Sequence, residues 1–301
     1  MFGDLIEPQF HPGEREAQAR AGVAPRGSAI RHRMPDQHRL FFAALPFVVV
    51  ATTDDAGWPL ATILSGPLGF VASPDAETLW LAAVPDPRDP AGAWLKPGAP
   101  VGILGIDLAT RRRNRANGWI ANVLPGRLTV AVKESFGNCP QYIHIRDIEP
   151  GHAVPLDVET LDRLDEPARD AIAAADTLFV ATVSGHGVDI SHRGGRPGFV
   201  QVGGDTLTVP DYAGNRYFNT LGNMLLDPRA ALLFPDFASG DLLLVQGQTE
   251  ILWDVPEGGR LPGAERLWHL HVTRAWRRRG AVPLHWTLRA MSPSFAQPPR
   301  T

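Results

Sequence analysis

The two halves of this sequence carry the same short motifs in the same order. Val50-Ala51-Thr52 matches Val180-Ala181-Thr182, and Gly69-Phe70-Val71 matches Gly198-Phe199-Val200. Three further matches follow at nearly constant spacing: Thr78-Leu79 with Thr206-Leu207, the run after Pro100 with the run after Pro228, and Asn117-Gly118 with Gln246-Gly247. Matches that keep their order and period are typical of an internal duplication, so we predict two copies of one structural unit.

Each copy has the pattern of a β unit. A short helical pattern precedes several apolar runs of strand length, and 28 prolines and 30 glycines supply many turns. Long helical patterns between the strands are missing, which favours a mainly β fold with peripheral helices, as barrels or sandwiches, over an α/β sheet. We predict an N-terminal extension (1–34), a first barrel (35–150), a helical linker (151–168) and a second barrel (169–301).

Composition excludes several classes of function. A formal net charge of -3 gives no general affinity for polyanions, so we expect no nucleic-acid partner. No apolar run reaches the length that a membrane span needs, and the N-terminus has acidic residues where a secretory signal would have basic ones, so we expect a cytoplasmic protein without a membrane partner. The single cysteine, Cys139, cannot form an internal disulfide, and His269 and His271 have no carboxylate at ligand spacing nearby in the sequence, so we expect no metal site.

Two segments of the second half suit an anion. In "VDISHRG", strand alternation places Ser191 and Arg193 on one face, where a hydroxyl and a guanidinium could hold a phosphate. In "PDYAGNRYFNTLGNMLLDP", Asn215 is a candidate helix cap, and Arg216 and Asn219 would share a face near the helix start. The alternatives are a solvent-facing strand edge and an ordinary capped surface helix.

A run of arginines in the first half is open to more than one interpretation. If "RRRNRANG" is a strand, Arg111, Arg113 and Arg115 lie on one face and could bind an anion, an acidic segment or a flavin phosphate. The alternatives are a solvated turn or a nucleic-acid contact.

The segment "GNRYFNTLGNMLLDPRAALLFPDF" resembles one wall of the flavin mononucleotide (FMN) site in the pyridoxamine 5'-phosphate oxidase family. There, a Gly-Ser-Arg-like turn, a short helix and an Asn/Asp-Pro-Arg-hydrophobic strand follow one another. The preceding "DISHRGGRPGFVQVGGDTLTVPDY" takes the place of that family's arginine-bearing strand and hairpin, and "RRRNRANG" and "VKESFGNCPQYI" are similar to segments of smaller members. The resemblance extends from Pro35 to Met291 and is to the two-barrel flavin-binding members.

The resemblance implies two tandem FMN-binding split β-barrels, with one flavin held between them and mainly on the second. The implied cofactor contacts from the second barrel are Ser191, His192, Arg193, Pro210, Asp211, Asn215, Arg216 and Asn219. Those from the first barrel are Asn138, Cys139 and Gln141, with Phe136 nearby. Tyr217 stands where the family has a lysine after the turn arginine, and Asn219 is the expected substitute for that phosphate contact.

The function that this resemblance implies is that of an FMN-dependent oxidoreductase of unknown substrate, with hydride transfer at flavin N5. FAD or a deazaflavin in place of FMN remains open, as does the electron donor, for which NAD(P)H is one candidate. A homodimer is compatible with the sequence. No residue stands out as a catalytic acid or base. The alternative is a non-catalytic flavin- or haem-binding module that acts as a sensor, a store or a haem-handling protein.

Overall fold

The computed structural model describes residues 10–24, 29–83, 85–151, 157–256, 259 and 261–295. The predicted extension and linker therefore lie partly outside the described residues. Within them the protein is mainly β, with four short α-helices: α1 (Pro12–Arg20), α2 (Asp36–Ala43), α3 (Glu166–Ala174) and α4 (Asn219–Leu226). The longest of these helices has nine residues, and none of the described helices is long and apolar enough to cross a membrane.

The first half forms a seven-stranded antiparallel sheet. Its strands are β1 (Phe47–Thr53), β2 (Pro59–Ser65), β3 (Val71–Ala72), β4 (Thr78–Leu81), β5 (Pro100–Asp107), β6 (Arg112–Leu124) and β7 (Arg127–Gly137). Their spatial order is β2-β1-β5-β6-β7-β4-β3. A 3-10 helical turn, Gly92–Trp94, precedes β5.

The second half forms a sheet with the same order of corresponding strands. After β8 (Ile145–Pro150) and β9 (Asp157–Leu161), its strands are β10 (Thr177–Ser184), β11 (Gly187–Gly194), β12 (Gln201–Gly203), β13 (Thr206–Tyr212), β14 (Arg229–Pro235), β15 (Leu242–Leu252) and β16 (Ala264–Arg279). The order is β11-β10-β14-β15-β16-β13-β12, which is that of the first sheet strand for strand. The duplication predicted from the matched motifs is therefore present in the fold.

One backbone irregularity is duplicated too. β6 has a bulge at Asn117/Gly118 and β15 has one at Gln246/Gly247, the same matched pair of motifs. A Cβ at Gly118 would lie 1.9 Å from the Ala131 carbonyl oxygen, so the bulge requires glycine there.

The predicted linker differs from the observed structure. Residues 157–161 form β9, which pairs with the end of β16, and helix begins only at Glu166. β16 is sixteen residues long, and its end beyond β13 would otherwise present unpaired backbone groups, which β9 covers. β17 (Leu284–Ala290) follows the second sheet in the chain and pairs with β8 in a separate two-stranded sheet, so this pair also joins the two halves.

A shared hydrophobic core joins the two sheets. Val48 and Val50 of β1 pack inside the first unit, whereas the alternate residues Phe47 and Val49 pack against the second unit. Strands β1 and β10 are thus buried on both faces, which explains their continuous apolar sequences. The two units form one body, and the boundary between them can hold a site with residues from both.

Candidate functional site

A narrow cleft lies where the first unit meets the second. Its walls come from β6 and the segment after β7 in the first unit, and from β11, β13, β16 and the start of α4 in the second. All of the predicted cofactor contacts except Pro210 line this cleft. Pro210 is buried in β13 opposite Leu267. Alternation along the strand turns its side chain away from the face that carries Asp211.

Five arginines line the cleft against two carboxylates. They are Arg113 and Arg115 from the first unit and Arg193, Arg216 and Arg266 from the second; the carboxylates are Asp211 and Glu265. Asp211 is shared, since its oxygens lie 3.3 Å from Arg193 Nη2 and 2.6 Å from Arg266 Nη1. The excess of positive charge makes the cleft a site for an anion.

Burial makes this excess of charge unfavourable without an anion. It lowers the pKa of Arg113 to about 9, and the neighbouring charges of Arg115 and Arg193 lower it further. Burial also lowers the pKa of Arg115, although the negative charge of Asp189 opposes this shift. A bound anion would relieve the repulsion between these guanidinium groups.

Several buried donors in the cleft have no partner in the described part of the chain. Two are Arg193 Nε and Asn138 Nδ2. A third is His192 Nε2: Arg113 Nη1 lies 3.1 Å from His192 Nδ1, and since a guanidinium can only donate, Nδ1 must accept and Nε2 carries the proton. Burial, followed by the charge of Arg113, holds the pKa of His192 well below its usual value, so the ring is neutral. Unpaired buried donors are costly unless a ligand accepts from them.

Arg115 reaches from the first unit into the second. Its Nε donates to the Ile190 carbonyl at 2.9 Å, its Nη2 to Ser191 Oγ at 2.8 Å and its Nη1 to Asn219 Oδ1 at 3.1 Å. Phe136, a predicted neighbour of the flavin, lies beneath it with its ring 5.2 Å from the guanidinium carbon. Arg115 therefore fixes Ser191 at the cleft and joins the two units there.

The turn before α4 differs from the predicted one. Asn215 does not cap the helix: its Oδ1 accepts from the Tyr217 amide at 3.1 Å, and α4 begins only at Asn219. Arg216 therefore lies in the turn rather than on a helix face shared with Asn219. Arg216 and Phe218 have φ values of 62° and 60°, a left-handed conformation that is unfavourable for such side chains and is common at ligand sites.

The contacts of Tyr217 and Asn219 bear on the roles predicted at these two positions. The Tyr217 hydroxyl accepts from the Ala29 amide at 2.9 Å and so anchors the N-terminal segment. Asn219 donates to Glu14 with its amide nitrogen and accepts from Arg115, so both ends of its side chain are already bonded. The substitution of Asn219 for the family's lysine stays a prediction, and these two contacts are the ones that a phosphate would have to displace.

The first unit's predicted contacts lie at the rim of the cleft. Asn138 Oδ1 accepts from Asn215 Nδ2 at 3.4 Å, and the Cys139 carbonyl accepts from Arg113 Nε at 2.9 Å. Gln141 is exposed there. The residue Cys139 is half-buried. The segment thus contributes backbone and amide groups from the first unit.

Sequence reasoning missed some of the lining residues. Arg266, Glu265 and Tyr142 gave no signal, because their positions depend on the register of β16 and on a turn in which Tyr142 has a φ of 69°. Strand alternation made Arg113 and Arg115 candidates for anion binding, and both line the cleft. Arg111 has a φ of 57° in the turn before β6 and donates to the Ile143 carbonyl.

A second cavity of about 390 Å³ adjoins the first, and Asn219 lines both. Its polar lining includes His11 and Glu14 of the N-terminal segment and Asp189 of β11. Asn117 Nδ2 donates to Asp189 Oδ1, which leaves Asn117 Oδ1 and Asp189 Oδ2 as buried acceptors without a partner in the described residues. This cavity therefore favours groups that donate hydrogen bonds, in contrast to the arginine-lined cleft.

Part of the chain matches the model of a known protein family. Residues 164–283 match the family model described as Pyridoxamine 5'-phosphate oxidase. No curated protein matches the chain.

Several solved structures are similar to part of the chain. A FAD-binding protein from Mesorhizobium loti is 14% identical and covers 41% of this chain and 98% of its own, with a TM-score of 0.32. HupZ from Group A Streptococcus is 15% identical over 43% of this chain and 98% of its own, with a TM-score of 0.30. HutZ, a haem storage protein from Vibrio cholerae, is 15% identical over 36% of this chain and 90% of its own, with a TM-score of 0.26.

Proposed function

We propose that the chain, whose residues 164–283 match the family model of pyridoxamine 5'-phosphate oxidase, binds a flavin in the arginine-lined cleft and acts as a flavin-dependent oxidoreductase. The observation that carries the proposal is the cluster of five arginines around buried, unpaired donors in a cleft built by both units. FMN, whose terminal phosphate is an anion, is the flavin that this cleft suits best.

The residues present fit the phosphate and the polar chain of such a cofactor. Arg193 and Arg216 would hold the phosphate, with Ser191 and the free Nε2 of His192 as hydrogen-bond donors beside it. The first residues of the short helix α4, Asn219 to Leu221, line the same cleft, so the positive end of the helix dipole would lie beside the phosphate. Bound flavin would supply hydride transfer at its N5 atom, whereas the protein binds, orients and shields it.

Haem is the weaker alternative for this cleft. An iron ligand needs a lone pair, and the hydrogen bond from Arg113 to His192 Nδ1 leaves the proton on the free Nε2. The absorption spectrum of the purified protein distinguishes the two cofactors: flavin bands support the proposal, and a Soret band contradicts it.

The proposed phosphate site at Arg193 and Arg216 is tested by measuring how tightly variants retain the cofactor. Arg193→Ala and Arg216→Ala should each weaken FMN binding by about 1.5–3 kcal/mol, which is roughly a 10- to 150-fold rise in the dissociation constant. Arg196→Ala is the matched control, since Arg196 is exposed in the same half and donates to the Phe295 carbonyl outside the cleft. Full flavin occupancy in Arg216→Ala after extensive dialysis would contradict this placement.

Catalysis needs its own test, because a protein that only binds flavin would also give the flavin spectrum and the loss of flavin in the arginine variants. We expect NADH or NADPH to bleach the bound flavin anaerobically if a nicotinamide cofactor is the electron donor. A flavin that neither nicotinamide reduces would favour the non-catalytic binding role or a redox protein as donor.

A further inference from the structure

A group of metal-ligand side chains lies on the outer face of the second sheet, apart from the cleft. In β16, Trp268 and Leu270 point into the core, so the alternate residues His269 and His271 point outward. The register of the sheet pairs His269 with Glu250 of β15. The sequence alone showed no carboxylate near these histidines, because Glu250 reaches them only through strand pairing.

The three side chains converge on one point. Glu250 Oε2 lies 3.5 Å from His271 Nε2 and 4.0 Å from His269 Nδ1, and one ligand atom from each residue falls within 4.8 Å of the others. Tetrahedral zinc with bonds of about 2.0–2.1 Å needs ligand atoms roughly 3.3 Å apart. The observed separations are within reach of small side-chain rotations, which exposed groups make readily.

A neighbouring hydroxyl orients one of the histidines. Thr206 Oγ1 of β13 lies 3.2 Å from His271 Nδ1. When Nδ1 carries the proton and donates to this oxygen, the lone pair of Nε2 faces Glu250. Histidines that bind metal are typically held in this way by a hydrogen bond from the second ring nitrogen.

We propose that Glu250, His269 and His271 form a binding site for a divalent transition-metal ion, with water completing the coordination. Zn²⁺ is the ion that best matches two imidazoles and a carboxylate, whereas Mg²⁺ and Ca²⁺ prefer oxygen ligands alone. The site is independent of flavin binding, since none of these three residues lines the cleft.

The test is Zn²⁺ binding by the full chain, measured by isothermal titration calorimetry after dialysis against a chelator. We expect one site of micromolar affinity in the wild type and loss of that site in His271→Ala and in Glu250→Gln. Thr206→Val should weaken it about 10-fold, because only the orientation of His271 is lost. His285→Ala is the matched control, since His285 is an exposed histidine on β17.

A second measurement reports on the geometry. Co²⁺ in place of Zn²⁺ should give visible absorption bands in the wild type and in His285→Ala, and should not give them in His271→Ala. The proposal is overturned if the wild type binds Zn²⁺ no more tightly than the His269→Ala/His271→Ala double variant, because the outward histidines would then contact Glu250 without holding a metal ion.

Discussion

Glu14 is a buried carboxyl group between the N-terminal helix and the cleft. Its side chain is only 5% exposed, its Oε2 accepts from the His11 amide at 2.9 Å, and Asn219 donates to its other oxygen. Burial raises the pKa of Glu14 from 4.5 to about 7, and the two hydrogen bonds only partly oppose the shift. This carboxyl group should therefore make the stability of the protein depend on pH near neutrality.

The sign of the effect follows from proton linkage. Between pH 4.5 and about 7, folded Glu14 keeps a proton that the unfolded chain has released. The free energy of unfolding therefore falls as the pH rises through this window, and the contribution of the neutral carboxyl is lost above it. A shift of this size corresponds to about 3 kcal/mol at full ionisation, at about 1.4 kcal/mol per pH unit.

Glu14→Gln removes the ionisation and keeps an amide oxygen that can accept from His11. Relative to the wild type, the variant should therefore gain about 3 kcal/mol in unfolding free energy between about pH 4 and pH 8. Urea unfolding followed by tryptophan fluorescence at a series of pH values measures this difference, and the other titrating groups cancel in it.

The matched control is Glu16→Gln, which removes an exposed glutamate of the same helix. Glu16 pairs with Arg20 at 2.7 Å at the surface, so its replacement should leave the pH dependence of the wild type unchanged. If the wild type and Glu14→Gln show the same dependence on pH, the argument from burial is refuted.

Two glycine substitutions test close contacts in the fold. Gly222→Ala should separate α1 from α4, because a Cβ there would lie 2.6 Å from the Glu14 nitrogen; we expect a loss of about 1–3 kcal/mol in urea unfolding. Gly118→Ala should destabilise the protein at least as much, because its Cβ would meet the Ala131 carbonyl oxygen at 1.9 Å. Gly203→Ala is the control, and its stability should change little because a Cβ there has no close neighbour. A wild-type urea midpoint in Gly118→Ala would contradict the need for glycine at the bulge.

The repeated architecture was predictable because it depends on local sequence. Gly69 and Gly198 match in the two halves, and both adopt positive φ, at 85° and 83°. The strands could also be predicted, because apolar runs and the turns between them are short-range signals in the sequence. The duplication of strand order follows once the motifs are aligned.

The remaining features depend on contacts between distant segments. The sequence does not show that Arg115 crosses to Ser191, that Glu250 pairs with His269, or that β17 pairs with β8. Each depends on register or on docking of the two units, and a shift of one residue would place each side chain on the opposite face. The contact of α1 with α4 gave no signal either, because a close approach of Gly13 and Gly222 leaves no periodic pattern in the sequence.

In the first unit, a buried ion pair occupies the position that corresponds to the arginine-lined cleft of the second unit. By register, Thr62 of β2 corresponds to Ser191 of β11, since each lies opposite the matched valine of the repeat. Ser191 faces the open cleft and Arg115. Thr62 instead donates to Asp89 Oδ2 at 2.6 Å, and this carboxylate is paired with the fully buried Arg278 of β16. The chain thus provides an anion and a cation of its own at this position.

We therefore expect one flavin per chain, measured by the absorbance of released flavin against protein concentration. Asp89→Ala should lower the free energy of unfolding by about 3–5 kcal/mol, because Arg278 would remain buried without its carboxylate. Asp86→Ala is the control, since Asp86 pairs with the exposed Arg88 at the surface. The double variant Asp89→Ala/Arg278→Met should recover most of the loss, because it removes both charges together. Two flavins per wild-type chain would show that the Asp89–Arg278 pair does not exclude a flavin from the first unit. Unchanged stability in Asp89→Ala would show that Arg278 does not depend on Asp89 for its charge partner.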